Sequence, residues 1–492
     1  MYESDQRERN QDMSNYHSQE QIIYRNLSGK IQMGFYDNGE RFPSAKEIAD
    51  RFHVSYCPAQ RALKMLEQNG QIKLHRGSAT AVLKKPYENY LESDVFKRHI
   101  KSLLDLCQSL ELISPALCTY NLQHFKKTLP SLWLRKIAQG QHAGLSLYQQ
   151  FDRSLHLFGN KTVLSLYYDI SSFSESAFLD ILSLKYGKEK GDSFLQHIAS
   201  EYAHCIQDQH PDSVSALQEK LEGLSSTFFD AIKDYLIECD TSSIEQEPFS
   251  WEPRKGRTRY CDVVAIEILC KINQGVYPVG SRLPNGHILA EIYHISAITV
   301  RRTIALLNKL GVTETVNGVG TFVVSRGGPE IPYKLKDLTL DDNMRDFLEA
   351  LQILAIISRP VMLSALPHIP HQTLQELSKA ASITQEKKSL VQTVSVGLQA
   401  VIRYSPLAAI REIYSKLTLL LLKGSILRLE ETGAESVAGW PEISASIKKS
   451  CACADYEKLS ETFQTLFQNN FASAKQTLLE IGVDGVEEIT GF

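Results

Sequence analysis

A chain of 492 residues, 22% charged and 43% hydrophobic with a net charge of −4, has room for about three ordinary domains. Its balance describes a soluble globular protein. Nine cysteines, an odd number without a CxxC pair, argue for reduced thiols in a cytoplasm and against a disulfide scaffold.

In chain order, Met1 to Gln19 is polar without an apolar core, so no secretory signal is expected and residues 1–17 read as a flexible tail. Residues 18–85 form the first unit. An amphipathic helix, Ile22 to Met33, ends at Gly34. A second helix starts at Ser44, with Glu47 three positions on as a capping box. His53-Val54 turns the chain, Ser55 caps a third helix, and Ala59, Ala62, Leu63 and Leu66 form its buried stripe. After Gly70, Gln71 to His75 and Thr80 to Leu83 alternate like strands about Gly77 and predict a hairpin.

Residues 90–240 read as successive amphipathic helices, and the polar segment 241–256 reads as a linker. The unit 257–326 then repeats the first. Lys30 to Val82, shifted by 241 positions, lies on Lys271 to Val323 without a gap, and sixteen of the 53 positions are identical. Unrelated sequences would share about three, so the match implies duplication of a module. Residues 337–492 are again helical. Their most apolar stretch, Ala350 to Leu366, is interrupted by Arg359-Pro360 and predicts a buried helix rather than a membrane span.

The two repeated units are also the basic parts of the chain. Ser18 to Lys85 carries eleven Lys/Arg against six Asp/Glu, and Arg257 to Arg326 eight against four. Excesses of +5 and +4 leave −13 for the remainder of a −4 chain, a distribution that suggests local contact with a polyanion.

Three helices followed by a hairpin is a winged helix-turn-helix, and the residues in it resemble the GntR superfamily of bacterial transcription regulators. The resemblance rests on FPSAKEIADRFHVSYCPAQRAL with RGSATAV in the first unit, and LPNGHILAEIYHISAITVRRTI with GVGTFVV in the second. The helical stretches are similar, over Phe151 to Ile170 and Arg403 to Leu417, to the FadR-like effector domain called FCD. The fold class expected is therefore mainly α with small β wings, two winged units and two all-α bundles arranged as a pseudo-dimer.

The resemblance implies double-stranded DNA as partner, a small-molecule effector in the helical domains, a cytoplasmic location and no membrane. The intrachain pairing leaves a further homodimer open. Carried over position by position, the DNA-binding residues of the first unit are Lys46, Ser55, Tyr56, Cys57, Gln60 and Arg61, with Arg76 and Gly77 in the wing. Those of the second are His287, Ser296, Ala297, Thr299, Arg301 and Arg302, with Asn317 and Gly318 in the wing. Arginine reads guanine through two parallel hydrogen bonds, and glutamine suits adenine. Arg301 against Gln60 therefore implies two different half-sites and an asymmetric operator. The alternative is a ligand-sensing or scaffold protein in which one or both winged units have lost DNA binding.

Many FCD domains hold a divalent metal through an aspartate and three histidines, and this chain departs from that pattern. Asp152 stands where a histidine is usual, Tyr148 stands at the aspartate position, and Ala400-Val401 occupies that region of the second half. His204 and His210 are the remaining histidines of the first half, so no metal and no other cofactor is expected. Asp152, His156 and Asn160 could line a metal-free pocket, with helix capping the other reading of Asn160. Arg403 and Tyr404 suit an anionic ligand, against which stands a packed, ligandless pairing domain. The chain lacks GxxxxGK[ST], HExxH and GxSxG, so an enzyme is not expected.

Overall fold

The computed structural model describes residues 41–52, 54–75, 80–83, 90–92, 94–125, 155, 158–174, 177–207, 214–241, 244–253, 260–273, 276–293, 295–309, 311–324, 341–424 and 439–492, with residues 20, 23, 24, 27, 28, 31 and 36. These fall into two compact units. One holds the described residues up to Gln108 and from Leu164 to Arg257, the other those of Ser109–Phe125, Leu155–Val163 and Thr258–Phe492.

The first winged domain begins with helical residues whose inward face is Ile23, Leu27 and Ile31. Two helices follow, α1 (Ala45–Phe52) and α2 (Tyr56–Gln68), then the antiparallel pair β1 (Ile72–Lys73) and β2 (Ala81–Val82). Their apolar stripes meet in one core with Phe42, Ile48, Ala59, Ala62, Leu63, Leu66, Ile72 and Val82. Each fully buried Ile, Leu, Val or Phe side chain there contributes about 1.5 to 3 kcal/mol relative to exposure. The buried Gln71 side chain donates to Ser28 Oγ at 2.7 Å, tying strand start to first helix.

A 3₁₀ turn (Tyr90–Glu92) leads into α3 (Asp94–Phe125), and then α4 (Lys161–Ser174), α5 (Ala177–Tyr186), α6 (Lys188–Gln207) and α7 (Val214–Glu238). Helices α5, α6 and α7 pack on one another. The chain after α7 is not a free tether. Residues 244–253, outside helix and strand, form a strap in which Phe249 and Trp251 are buried. Glu247 N–H donates to Arg98 O at 2.9 Å, Gln246 Oε1 accepts from Lys101 N, and Glu252 N–H donates to Asp169 Oδ2 at 3.0 Å.

The second winged domain consists of α8 (Tyr260–Asn273), α9 (Gly286–Tyr293), α10 (Ala297–Lys309), β3 (Thr313–Val316) and β4 (Gly320–Val323). Its helices α9 and α10 have the bounds of α1 and α2 displaced by 241, the offset of the sequence repeat. The backbone hydrogen bonds repeat at the same offset. Phe42 N–H to Thr80 O matches Leu283 N–H to Thr321 O, both 2.8 Å, and Gln71 N–H to Leu66 O matches Val312 N–H to Leu307 O. Sixteen identities therefore suffice to preserve one backbone twice, because they sit where the chain turns or packs.

The C-terminal bundle contains α11 (Asp341–Ala365), a 3₁₀ turn (Leu366–His368), α12 (His371–Ala380), α13 (Glu386–Tyr404), α14 (Ala408–Leu422), α15 (Trp440–Cys453) and α16 (Tyr456–Ile481). Helix α11 runs on through Pro360 rather than breaking there. The segment Asn343–His368 is apolar and long enough to cross a membrane, but 72% of its apolar window is buried inside the fold, the mark of a core helix. It packs chiefly on α16, whose Leu459, Phe463, Leu466, Phe467 and Phe471 are buried. Gly397 lies under Phe463, where an added Cβ would come within 2.5 Å of the ring.

A buried polar lock ties residues of the first half into this bundle. Glu349, 1% exposed, accepts from Thr162 N (2.9 Å), Thr162 Oγ1 (2.7 Å) and Arg345 Nε (3.0 Å). Asn160 Nδ2 donates to Glu349 O at 3.0 Å and to Gln352 Oε1 at 2.8 Å. Gln352 donates in turn to Tyr120 OH and Thr490 O, and Tyr120 OH donates to Gly491 O. Burial raises the Glu349 carboxyl above its ordinary range, opposed by its Thr162 and Arg345 donors, and pushes the Tyr120 phenol up to about 12.

Candidate nucleic-acid interface

In the first winged domain, the turn between α1 and α2 presents the N-terminus of α2 to solvent. Tyr56, 54% exposed, is followed on the same surface by exposed Cys57, Gln60, Arg61 and Lys64, with Lys46 exposed on α1. The described candidates of this unit are all exposed, Lys46 on α1 and Ser55, Tyr56, Cys57, Gln60 and Arg61 at the start and along α2. Arg61 also pairs with Glu20 at 3.3 Å, which draws it toward the first helix. Arg76 and Gly77 lie outside the described residues.

The capping box forms as the sequence spacing requires. Ser44 N–H donates to Glu47 Oε2 at 2.7 Å and Glu47 N–H to Ser44 Oγ at 3.3 Å. The Ser44 amide holds the exposed Glu47 carboxyl below its ordinary range. In the second domain Asn285 Oδ1 accepts from His287 N and Ile288 N, both at 3.0 Å, and no glutamate is needed.

The recognition helices start differently. Ser296 Oγ accepts from Thr299 N at 3.2 Å and shares a 2.9 Å hydrogen bond with Thr299 Oγ1. Ser55 has extended backbone angles suited to a cap but makes no side-chain cap hydrogen bond. The amide three positions on, the partner that Ser296 uses, belongs here to Pro58, which has no N–H to donate.

The second helix exposes Ala297, Arg301 and Arg302, and with them a residue that sequence reasoning passed over, Ile298, 57% exposed. Arg301 Nε donates to Ala297 O at 3.4 Å, so its guanidinium lies along the helix toward the N-terminal turn. His287 is exposed on α9. The wing closes through Asn317 and Gly318, the latter at φ 74°, where a side chain would be strained. Exposed Val316 and Val319 flank this tip, which carries no positive charge.

Of the effector candidates, Asn160, Arg403 and Tyr404 fall among the described residues. Asp152 and His156 lie outside the described residues, as do Tyr148 and His210. Asn160 caps α4, accepting from Val163 N at 2.8 Å, while its amide serves the buried lock. Arg403 is exposed and Tyr404 half-buried at the end of α13. Arg411 lies beside this end and donates to Ser405 O at 2.6 Å. His204, His368 and His371 are exposed. Among the described residues, no three His, Cys, Asp or Glu side chains are grouped to hold a metal.

The family described as bacterial regulatory proteins, gntR family, matches residues 19–82 and 262–323. No curated protein matches the chain. Among solved structures, the Streptococcus agalactiae GntR is 19% identical, with 43% of this chain and 99% of that one covered at a TM-score of 0.21. E. coli McbR/YncC is 18% identical, with 45% and 99% covered and a TM-score of 0.23. A GntR family regulator from Pseudomonas syringae pv. tomato is 14% identical, with 45% and 86% covered and a TM-score of 0.22. Scores this low carry no argument about how the chain is arranged. The weight falls on the two family matches, which coincide with backbone hydrogen bonds repeated at the same offset: each half of the chain carries one winged helix-turn-helix of the gntR family, an internally duplicated DNA-binding module of bacterial regulators.

Proposed function

We propose that the chain is a fused pseudo-dimer that reads an asymmetric operator with its two winged domains, in the cytoplasm and without a membrane. The observation that carries this reading is that one backbone is repeated while its exposed recognition residues differ. Gln60 suits adenine and Arg301 suits guanine. Lys46, Ser55, Cys57, Arg61, His287, Ser296, Thr299 and Arg302 supply backbone-positioning contacts around them, with Asn317 and Gly318 at the second wing.

What supports an intrachain pairing is the buried lock, in which Tyr120, Asn160 and Thr162 of the first half satisfy Glu349 and Gln352 of the second. The FCD-like bundles are the natural place for a small-molecule effector, with Arg403, Tyr404 and neighbouring Arg411 offering an anion-binding corner.

Selection of duplexes from a random pool by the full-length protein, with light scattering of the complex, tests the reading. Two unlike half-sites bound by one chain are expected. A palindrome bound by two chains overturns the fused reading.

A second reading has one favouring observation. Val316 and Val319 leave the tip of the second wing with apolar side chains and no positive charge, which suits a domain that packs rather than reads. Enrichment of a single half-site would favour it.

A further inference from the structure

We infer that Ile298 is a specificity residue that reads the methyl group of a thymine in the second half-site; this rests on the second winged domain binding DNA. Ile298 is the second residue of α10, whose exposed face continues with Arg301, Arg302 and Ala305. An isoleucine left 57% exposed at that place is costly in water and has no donor or acceptor for a base edge. The apolar feature that base edges present in the major groove is the thymine C5-methyl.

The neighbours make room for it. Ala297 precedes Ile298 with a side chain too short to cover it, and Thr299 turns its hydroxyl to Ser296. In the first domain the same position is Cys57 beside Tyr56, so the contact belongs to the second reader alone.

Position fixes which thymine. Ile298 and Arg301 are three residues apart on one helix face, a rise of about 4.5 Å. Base pairs are spaced by about 3.4 Å. The thymine should therefore lie next to the guanine that Arg301 reads, and Arg301, drawn toward the N-terminal turn by Ala297 O, reaches the same edge.

The test uses full-length protein and duplexes enriched from a random pool. The guanine is assigned by the base pair at which Arg301→Ala loses preference, and the adjacent thymine is replaced by deoxyuridine, which removes the methyl alone. Wild-type affinity should fall about fourfold, the factor expected for one methyl withdrawn from apolar contact. Ile298→Ala should bind the thymine and uracil duplexes equally, and Ile298→Val should keep most of the discrimination. Because the side chain is exposed, these variants should retain the wild-type circular dichroism spectrum. Equal wild-type affinity for the two duplexes, or a loss that persists in Ile298→Ala, overturns the assignment while leaving DNA binding intact. Failure to enrich any second half-site overturns the reading beneath it and this inference together.

Discussion

Arg301 and Lys46 are both exposed cations, and the proposed readout gives them different duties. Arg301 sits on the recognition helix with its guanidinium directed at the N-terminal turn. Its replacement by alanine should weaken specific binding by about 1 to 3 kcal/mol and relax preference at one base pair. Lys46 lies in the first domain, on α1, the helix before that domain's recognition helix, where a point charge suits phosphate. Lys46→Gln should weaken all sequences alike and reduce the salt slope by about one counterion, read from affinities at several salt concentrations. Identical salt slopes for wild type and variant would contradict a phosphate contact.

At the level of the helix, the two recognition elements differ in how they start. Ser296 caps α10 through the Thr299 amide, whereas Pro58 denies Ser55 the same partner. Ser296→Ala should therefore destabilise its first turn by about 1 kcal/mol, and Ser55→Ala by a few tenths at most. Hydrogen exchange of the first-turn amides in the intact chain distinguishes the two. The capping box of α1 adds a pH dependence. Because the folded Glu47 carboxyl titrates below its ordinary value, its contribution is fully present above that value and is lost as pH falls through the folded pKa. Exchange at the start of α1 should rise in acid, and Glu47→Gln should flatten that response.

Local spacing made these elements legible. Ser44 and Glu47 are three positions apart, and the 241-residue offset brings matching turns into register without any knowledge of contacts. Ile298 was hidden by its type, since an isoleucine beside Val300 reads as core until its exposure is seen. The strap at 244–253 was hidden by its composition. Its polar residues suggested a linker, but their hydrogen bonds run to Lys97, Arg98 and Lys101, about 145 positions earlier.

For the molecule as a whole, the lock around Glu349 is the feature most exposed to test. Arg345 donates to Glu349, Glu488 and Gly159 O. Removing it by Arg345→Ala leaves a carboxylate buried without its cation and should cost about 3 to 5 kcal/mol. Denaturant unfolding of the full chain should show the loss in the transition of the C-terminal bundle. A variant as stable as wild type would mean that the Thr162 donors alone satisfy the carboxylate.

The sequence by itself determined the two winged domains, their duplicated frame and the chemical difference between their readers, because turns, caps and helix stripes are written in neighbouring residues. Tertiary structure alone decided between the two readings of Asn160: its oxygen makes the helix cap that the sequence offered as one of them, and its amide is committed to partners 189 and 192 positions away. Buried polar groups must be satisfied by whatever the fold brings near them, and no local pattern encodes that choice.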